Sequence, residues 1–266
     1  MLCVDFHCHS IASGHAMNTI EELLRHADRK GIKGIAVTDH CPGIDNTFWL
    51  LKNKQAQANW QYGIKGPDIH YIKTFLSRYQ PPEEVKAKLF KGLECNILQS
   101  GPMATDLPLS LAAKLDLVIA SIHPLPSLFE TKDKTIVTER VLLAMDDPID
   151  LIGHPFRKGY DPDPELLVRK AIDKEIALEL NNASMSLKKT ELSSLVQMLE
   201  LSKKLGCQIA LSSDAHATNE LGRDDYILPL LAETKFPDEL IVNKTIKSSI
   251  EFIERRKKIR REMNLK

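Results

Sequence analysis

Seven of the nine histidines in this chain each follow a short apolar run of strand-like composition. His7 and His9 come after Leu2-Cys3-Val4-Asp5-Phe6, and His15 lies in the loop beyond them. His40 closes Ile35-Ala36-Val37-Thr38-Asp39, and His123 follows Val118-Ile119-Ala120-Ser121-Ile122. His154 follows Leu151-Ile152-Gly153, and His216 ends Ser212-Ser213-Asp214-Ala215. Two carboxylates occupy the same kind of position, Glu94 after Gly92-Leu93 and Asp214 two residues before His216. Imidazole is the commonest transition-metal ligand, and a carboxylate can bridge two cations that neutral histidines would leave repelling each other. An isolated histidine is more often a hydrogen-bonded core or surface residue. Seven with two carboxylates, all at strand ends, point to one multi-metal centre.

Spacing refines this picture. Side chains two apart on a strand face the same way, so His7 and His9 can reach one ion, as can Asp214 and His216. Asp5 shares the parity of His7 one step deeper, where orienting a histidine is the expected task. Cys8 and Cys95 alternate away from their ligand neighbours and are expected to pack behind the site. His26, in a polar helical stretch, and His70 are expected to lie outside it.

Elements must position these groups. Apolar, β-branched runs recur near residues 1–6, 33–38, 89–94, 116–122, 149–153, 176–181 and 208–213. Helical periodicity separates most of them, with stretches at 134–146, 164–174, 190–204 and 222–234. Thr19-Ile20-Glu21-Glu22 reads as a capping box opening a helix that stops at Gly31. Seven strands alternating with helices imply parallel βα units. No GxGxxG or GxxxxGK[ST] phosphate loop is present, since Ser13-Gly14-His15 follows the first strand instead. A closed or nearly closed barrel places every candidate ligand at the C-terminal strand ends, where barrel enzymes carry their sites. The expected fold is therefore an α/β, TIM-like barrel forming a single domain over 1–266. Residues 41–82 interrupt it with a lid-like insertion holding Trp49, Trp60, Tyr62, Tyr71, Phe75 and Tyr79.

Composition excludes several other classes. The 36 basic and 36 acidic side chains cancel, which gives no general field for nucleic acid or an acidic membrane. The 43% hydrophobic content and the absence of a membrane-length apolar run read as an ordinary soluble protein. Five cysteines without a CxxC pair, and no signal-like N-terminus, fit a cytoplasmic location.

The motifs together resemble one known family. HxH at 7–9, Ser-x-x-x-Gly-His15, Thr38-Asp39-His40, Gly92-Leu93-Glu94, Ser121-Ile122-His123, Gly153-His154-Pro155 and Ser213-Asp214-Ala215-His216 are similar to the polymerase-and-histidinol-phosphatase (PHP) family. The resemblance covers residues 5–216 and implies a distorted (β/α)7 barrel with three divalent metal ions. By position it implies that His7, His9, Glu94 and Asp214 hold one ion. Glu94 would bridge to a second, completed by His123 and His154, while His15, His40 and His216 would hold the third. Zinc, manganese and iron all suit such N/O ligands.

Three dications against two carboxylates favour an anionic substrate. The expected function is a phosphoesterase, foremost a phosphatase cleaving a small-molecule phosphate monoester with a metal-bridging hydroxide. Asp214 or His216 would relay a proton. Arg157, Lys158 and Arg223, on strand-end loops, would grip phosphate oxygens, and Asn181 would bond substrate or the groups behind the ligands. Resemblance is strongest to the stand-alone phosphatases. His154-Pro155-Phe156 departs from the His-x-Asp common in the histidinol phosphatase branch, which weakens histidinol phosphate as substrate. One alternative is a phosphodiesterase or nuclease using the basic tail Arg255-Arg256-Lys257-Lys258-Ile259-Arg260-Arg261, which follows an apolar stripe at Ile246, Ile250 and Ile253. The other is a non-catalytic, metal-binding regulatory module.

Overall fold

The structure is a computed structural model that describes residues 1–41, 67–125 and 128–263. Seven strands, β1 (Val4–Cys8), β2 (Gly34–Val37), β3 (Lys88–Asn96), β4 (Leu117–Ser121), β5 (Leu151–Ile152), β6 (Ala177–Asn181) and β7 (Ile209–Ser212), pair in chain order. All six ladders are parallel. The sheet curls until β1 meets β7, where Asp214 N donates to His7 O at 2.9 Å and His9 N to Ala215 O at 2.9 Å. It is a nearly closed α/β barrel, as the spacing of the apolar runs predicts.

The described helices are α1 (Ile20–Lys30), α2 (Ile69–Arg78), α3 (Leu109–Ala112), α4 (Lys134–Ala144), α5 (Pro164–Asp173), α6 (Asn182–Ser186), α7 (Leu192–Leu205), α8 (Ile227–Thr234) and α9 (Ile246–Met263). Helix α1 has the expected capping box between Thr19 and Glu22 and ends on Gly31, whose φ of 75° suits a residue without Cβ. Helix α8 starts later than the 222–234 periodicity suggests, because Gly222 takes φ 73°, a left-handed conformation that a helix does not contain. Trp49, Trp60 and Tyr62 of the expected lid lie outside the described residues. Its remaining aromatics, Tyr71, Phe75 and Tyr79, stack along one side of α2 at 6.4 and 5.9 Å. No described helix is long and apolar enough to cross a membrane.

The barrel interior explains why the strands end in ligands. Phe90, Leu117, Ile119, Leu151, Ala177 and Ala210 fill its lower layers. Continuing the same inward parity brings Glu94, His123, Glu179 and Asp214 to the top. Gly92 sits in the narrow middle layer, where a Cβ would lie 2.7 Å from Thr38 Cγ2 and 2.8 Å from Leu117 O. Strand β1 reaches the same result through a bulge. Asp5 pairs with Ile35 and Cys8 with Val37, so three residues of β1 span two of β2. Phe6 packs in the interior cluster while Cys8, two residues on, packs in the outer layer with α1.

That bulge corrects the expectation for Asp5, because it separates Asp5 from the parity of His7. Its carboxylate accepts from Ser213 N at 3.0 Å, Gly222 N at 2.9 Å, His7 N at 3.3 Å and the Ser213 hydroxyl. Asp5 ties β1 to the chain that follows β7 and makes no hydrogen bond to the His7 ring.

The basic C-terminal run also takes a different role. Helix α9 closes the bottom of the barrel, and Arg256 and Arg260 are buried beneath it beside Asp150. Their remaining donors go to backbone oxygens of Lys174, Ile149, Ala112 and Leu115 at 2.5–3.0 Å. Two of the arginines that suggested a nucleic-acid contact are thus structural.

Candidate metal centre

All nine predicted ligands converge at the upper end of the barrel. The donor atoms of His7, His9 and Asp214 lie within 4.8 Å of one another, as do those of His9, His40 and His216 and those of His40, Glu94 and His123. His154 Nε2 lies 3.2 Å from Glu94 Oε1, and His15 Nε2 lies 2.8 Å from His216 Nε2. Glu94 is central, with four further imidazoles (His7, His9, His40 and His123) between 2.9 and 3.6 Å from its oxygens.

The hydrogen bonds fix which nitrogen each ring presents. His7 Nδ1 meets Glu179 Oε1 at 2.7 Å, and His123 Nδ1 meets Asn96 Oδ1 at 2.7 Å. His15 Nδ1 and His216 Nδ1 meet the carbonyls of Ser13 and Asp214 at 3.1 and 3.0 Å. Carboxylates and carbonyls only accept, so each of these rings donates from Nδ1 and offers a bare Nε2. His9 follows the same rule by relay: the Ser13 hydroxyl donates to Asp39 at 2.6 Å and accepts from His9 Nδ1 at 2.9 Å.

The bare Nε2 atoms then face one another, His7 to His9 at 3.0 Å and His15 to His216 at 2.8 Å. Both nitrogens of His40 are buried without a hydrogen bond of acceptable geometry. Opposed lone pairs and an orphaned buried ring are costly unless cations lie among them. The residues present therefore fit divalent metal ions, with a borderline N/O donor set.

Electrostatics point the same way. Burial pushes His123 down to about 4 and His9 well below the ordinary histidine range, the latter helped by His40. Both are neutral at pH 7, the form that binds a cation. Burial opposes ionisation of Glu94, but His7, His123 and His40 hold it well below the usual carboxylate range. Burial opposes charge on His7, but Glu179, Asp214 and Glu94 outweigh it and raise His7 well above its ordinary value. The carboxylates around this ring thus favour a positive charge at its Nε2, which a proton or a metal ion can supply.

Two ligands sit on unusual backbone. His154 has φ 28° and Asp214 φ 55°, conformations that cost non-glycine residues about 1–3 kcal/mol. The His154 amide is anchored by Glu179 Oε2 at 2.5 Å, and Asp214 Oδ2 by Asn181 Nδ2 at 3.1 Å. Glu179 is thus a residue that sequence reasoning missed, on the strand it had left without a ligand. The signal was present: a lone carboxylate at an inward position of Ala177-Leu178-Glu179-Leu180.

A cleft of about 380 Å³ opens over the centre, its wall formed by Arg157, Ala183, Ser184, Leu187, Lys189 and Glu220. Of the four residues expected to bind substrate, Arg157 alone lines it. Lys158 lines a neighbouring hollow with Met185 and Tyr226. Arg223 is exposed and ion-paired with Asp225 at 2.8 Å. Asn181 is buried, caps α6 through Ser184 N at 2.8 Å and braces Asp214 from behind. Ser184 and Lys189 were not anticipated, because the turn through α6 that carries them has no ligand signature. His70 is exposed on α2, and His26 pairs with Arg29 on α1 at 3.3 Å.

Comparison with known proteins matches this arrangement to a family. The PHP domain matches residues 5–237. A probable phosphatase of Caldicellulosiruptor saccharolyticus is 35% identical over 254 residues, covering 94% of this chain and 95% of that protein. Another from Acetivibrio thermocellus is 32% identical over 263 residues, covering 97% and 98%. Among solved structures, a putative histidinol phosphatase of Listeria monocytogenes aligns with TM-score 0.56 at 14% identity, covering 83% of this chain and 97% of that one. Histidinol phosphate phosphatase of Lactococcus lactis, solved with zinc, L-histidinol and phosphate, aligns with TM-score 0.51 at 19% identity, covering 88% and 94%. With a family match from residue 5 to 237, most of its length, the chain belongs to the PHP domain family.

Proposed function

We propose that this protein is a metal-dependent phosphatase that hydrolyses small-molecule phosphate monoesters. The observation that carries the reading is the set of bare imidazole nitrogens and carboxylates converging beneath one small cleft with a cationic wall. Relatives named as probable phosphatases along nearly the full length support it. When bound, three divalent ions (zinc, manganese or iron) would supply Lewis-acid charge at the phosphoryl oxygens and a water activated near neutral pH.

The protein's own groups would do the rest. His7, His9, Glu94 and Asp214 form one ligand group, and Glu94, His123 and His154 a second that shares its carboxylate. His15, His40 and His216 complete the set nearest solvent. Arg157 is half-buried, and among the described residues no carboxylate pairs with it; its guanidinium is suited to grip phosphoryl oxygens. Lys189, whose carbonyl accepts from Lys158 N at 2.8 Å beside Arg157, supplies a second cation to the same wall. His216 donates its Nδ1 proton to the Asp214 carbonyl and turns its Nε2 toward His15, so it serves as a ligand, and the departing alcohol would take its proton from water in the open cleft. Asp214 is held by Asn181 and serves better as a ligand. Among the described residues the open cleft holds about 380 Å³, room for a small-molecule leaving group.

The test is hydrolysis of an aryl phosphate and of a panel of phosphorylated metabolites, with metal content measured on the same preparation. Turnover that vanishes on chelation and returns with metal is expected. A fully metallated protein that cleaves no phosphate ester would leave the regulatory-module reading in its place.

A further inference from the structure

The ring of His123 is oriented by an amide, whereas His7 is held by a carboxylate, Glu179. A side-chain amide can flip, and a flipped Asn96 would turn its NH2 toward His123 and reverse the ring's proton arrangement. Asp106 blocks that flip. Its Oδ2 accepts from Asn96 Nδ2 at 2.6 Å and its Oδ1 from Asn96 N at 2.6 Å. Since a carboxylate cannot donate, the amide oxygen is left facing His123 Nδ1 at 2.7 Å. His123 must donate there, so its bare Nε2 points at Glu94 Oε1, 3.5 Å away.

Asp106 is itself fixed. Its amide donates to Asn96 O at 3.1 Å, and the neighbouring Thr105 hydroxyl donates to Asp147 at 2.6 Å. The Asp106 carboxylate is half-buried and accepts from both the amide and the side chain of Asn96, and among the described residues no Lys or Arg pairs with it, so its hydrogen bonds are spent on holding Asn96.

We infer that Asp106 is a positioning residue: acting through the Asn96 amide, it fixes the tautomer and aim of His123 and so sets the affinity of the ion held by Glu94, His123 and His154. The inference rests on the metal-centre part of the proposed function and not on the choice of substrate.

Titration of zinc against a competing chromophoric chelator tests it, with thermal unfolding as a control. Asp106→Asn and Asn96→Ala should each weaken one zinc equivalent by about 10–100-fold, the usual effect of losing a partner behind a ligand. The exchanged pair, Asn96→Asp with Asp106→Asn, restores every bond, because Asp at 96 accepts from both His123 and the new amide. It should bind zinc near the wild-type level, which loss of packing would not predict. The inference is overturned if Asp106→Asn keeps wild-type affinity, or if the exchanged pair binds no tighter than the single variants. A wild-type protein that takes up zinc yet hydrolyses no phosphate ester refutes the phosphatase reading and leaves these affinities readable. One that takes up no zinc refutes both.

Discussion

The two ends of the barrel both bury charge, and they do so in opposite ways. At the bottom, Asp150 meets two guanidiniums, and the other arginine donors end on backbone carbonyls. Every guanidinium nitrogen there has an acceptor within the protein. At the top, Glu94 and Asp214 are surrounded by rings whose Nε2 atoms face each other, and neither ring nitrogen of His40 has a hydrogen bond. A saturated polar cluster is closed to ligands and serves the fold. An unsaturated one, held in place by saturated groups behind it, is open to a cation.

The largest test of this contrast lies at the bottom. Arg260→Met removes one of the two guanidiniums beside Asp150 and leaves the Ala112 and Leu115 carbonyls without their donor, and should cost about 3–5 kcal/mol of stability, read from urea unfolding. The remaining folded protein should bind metal normally; a loss of metal affinity would show that the two ends are coupled. Next, Glu94→Gln should lower turnover of an aryl phosphate by about 10²–10³-fold, with no comparable loss of stability. Unchanged turnover would remove Glu94 from its bridging role. Glu179→Gln should weaken metal binding by about 10–100-fold, because the variant amide holds His7 and the His154 backbone less firmly. The smallest effect is expected for Lys257→Met, which removes a partly exposed ion pair with Asp116 at the rim of the floor. Less than about 1 kcal/mol should be lost.

Much of this molecule was readable from its sequence, for a physical reason. Parallel strands buried on both faces appear as apolar runs, and the change from apolar to polar at each run's end marks where the barrel interior opens. His123, His154 and Asp214 fall at that change. Parity reasoning failed where the backbone departs from regular alternation, as at the β1 bulge that turned Asp5 outward. Glu179 was hidden by its apolar neighbours, although its inward parity with Asn181 was a usable signal. The basic run looked like a solvated tail because its net charge dominates. Yet Arg256 and Arg260 are four apart, on the face of α9 that carries Phe252 and Ile253. Arg223 and Lys158 show the remaining limit: a loop's position after a strand does not determine the direction of a long side chain.

The ligands come from both sides of the barrel's seam, and His15 meets His216 across 201 positions of sequence. A chain emerging from the ribosome therefore carries its first ligands long before their partners exist. Six strands can assemble, but the set of donors is incomplete until β7 closes the ring. Because contacts of such separation form late, uptake of the ions that need Asp214 or His216 should report the last step of folding.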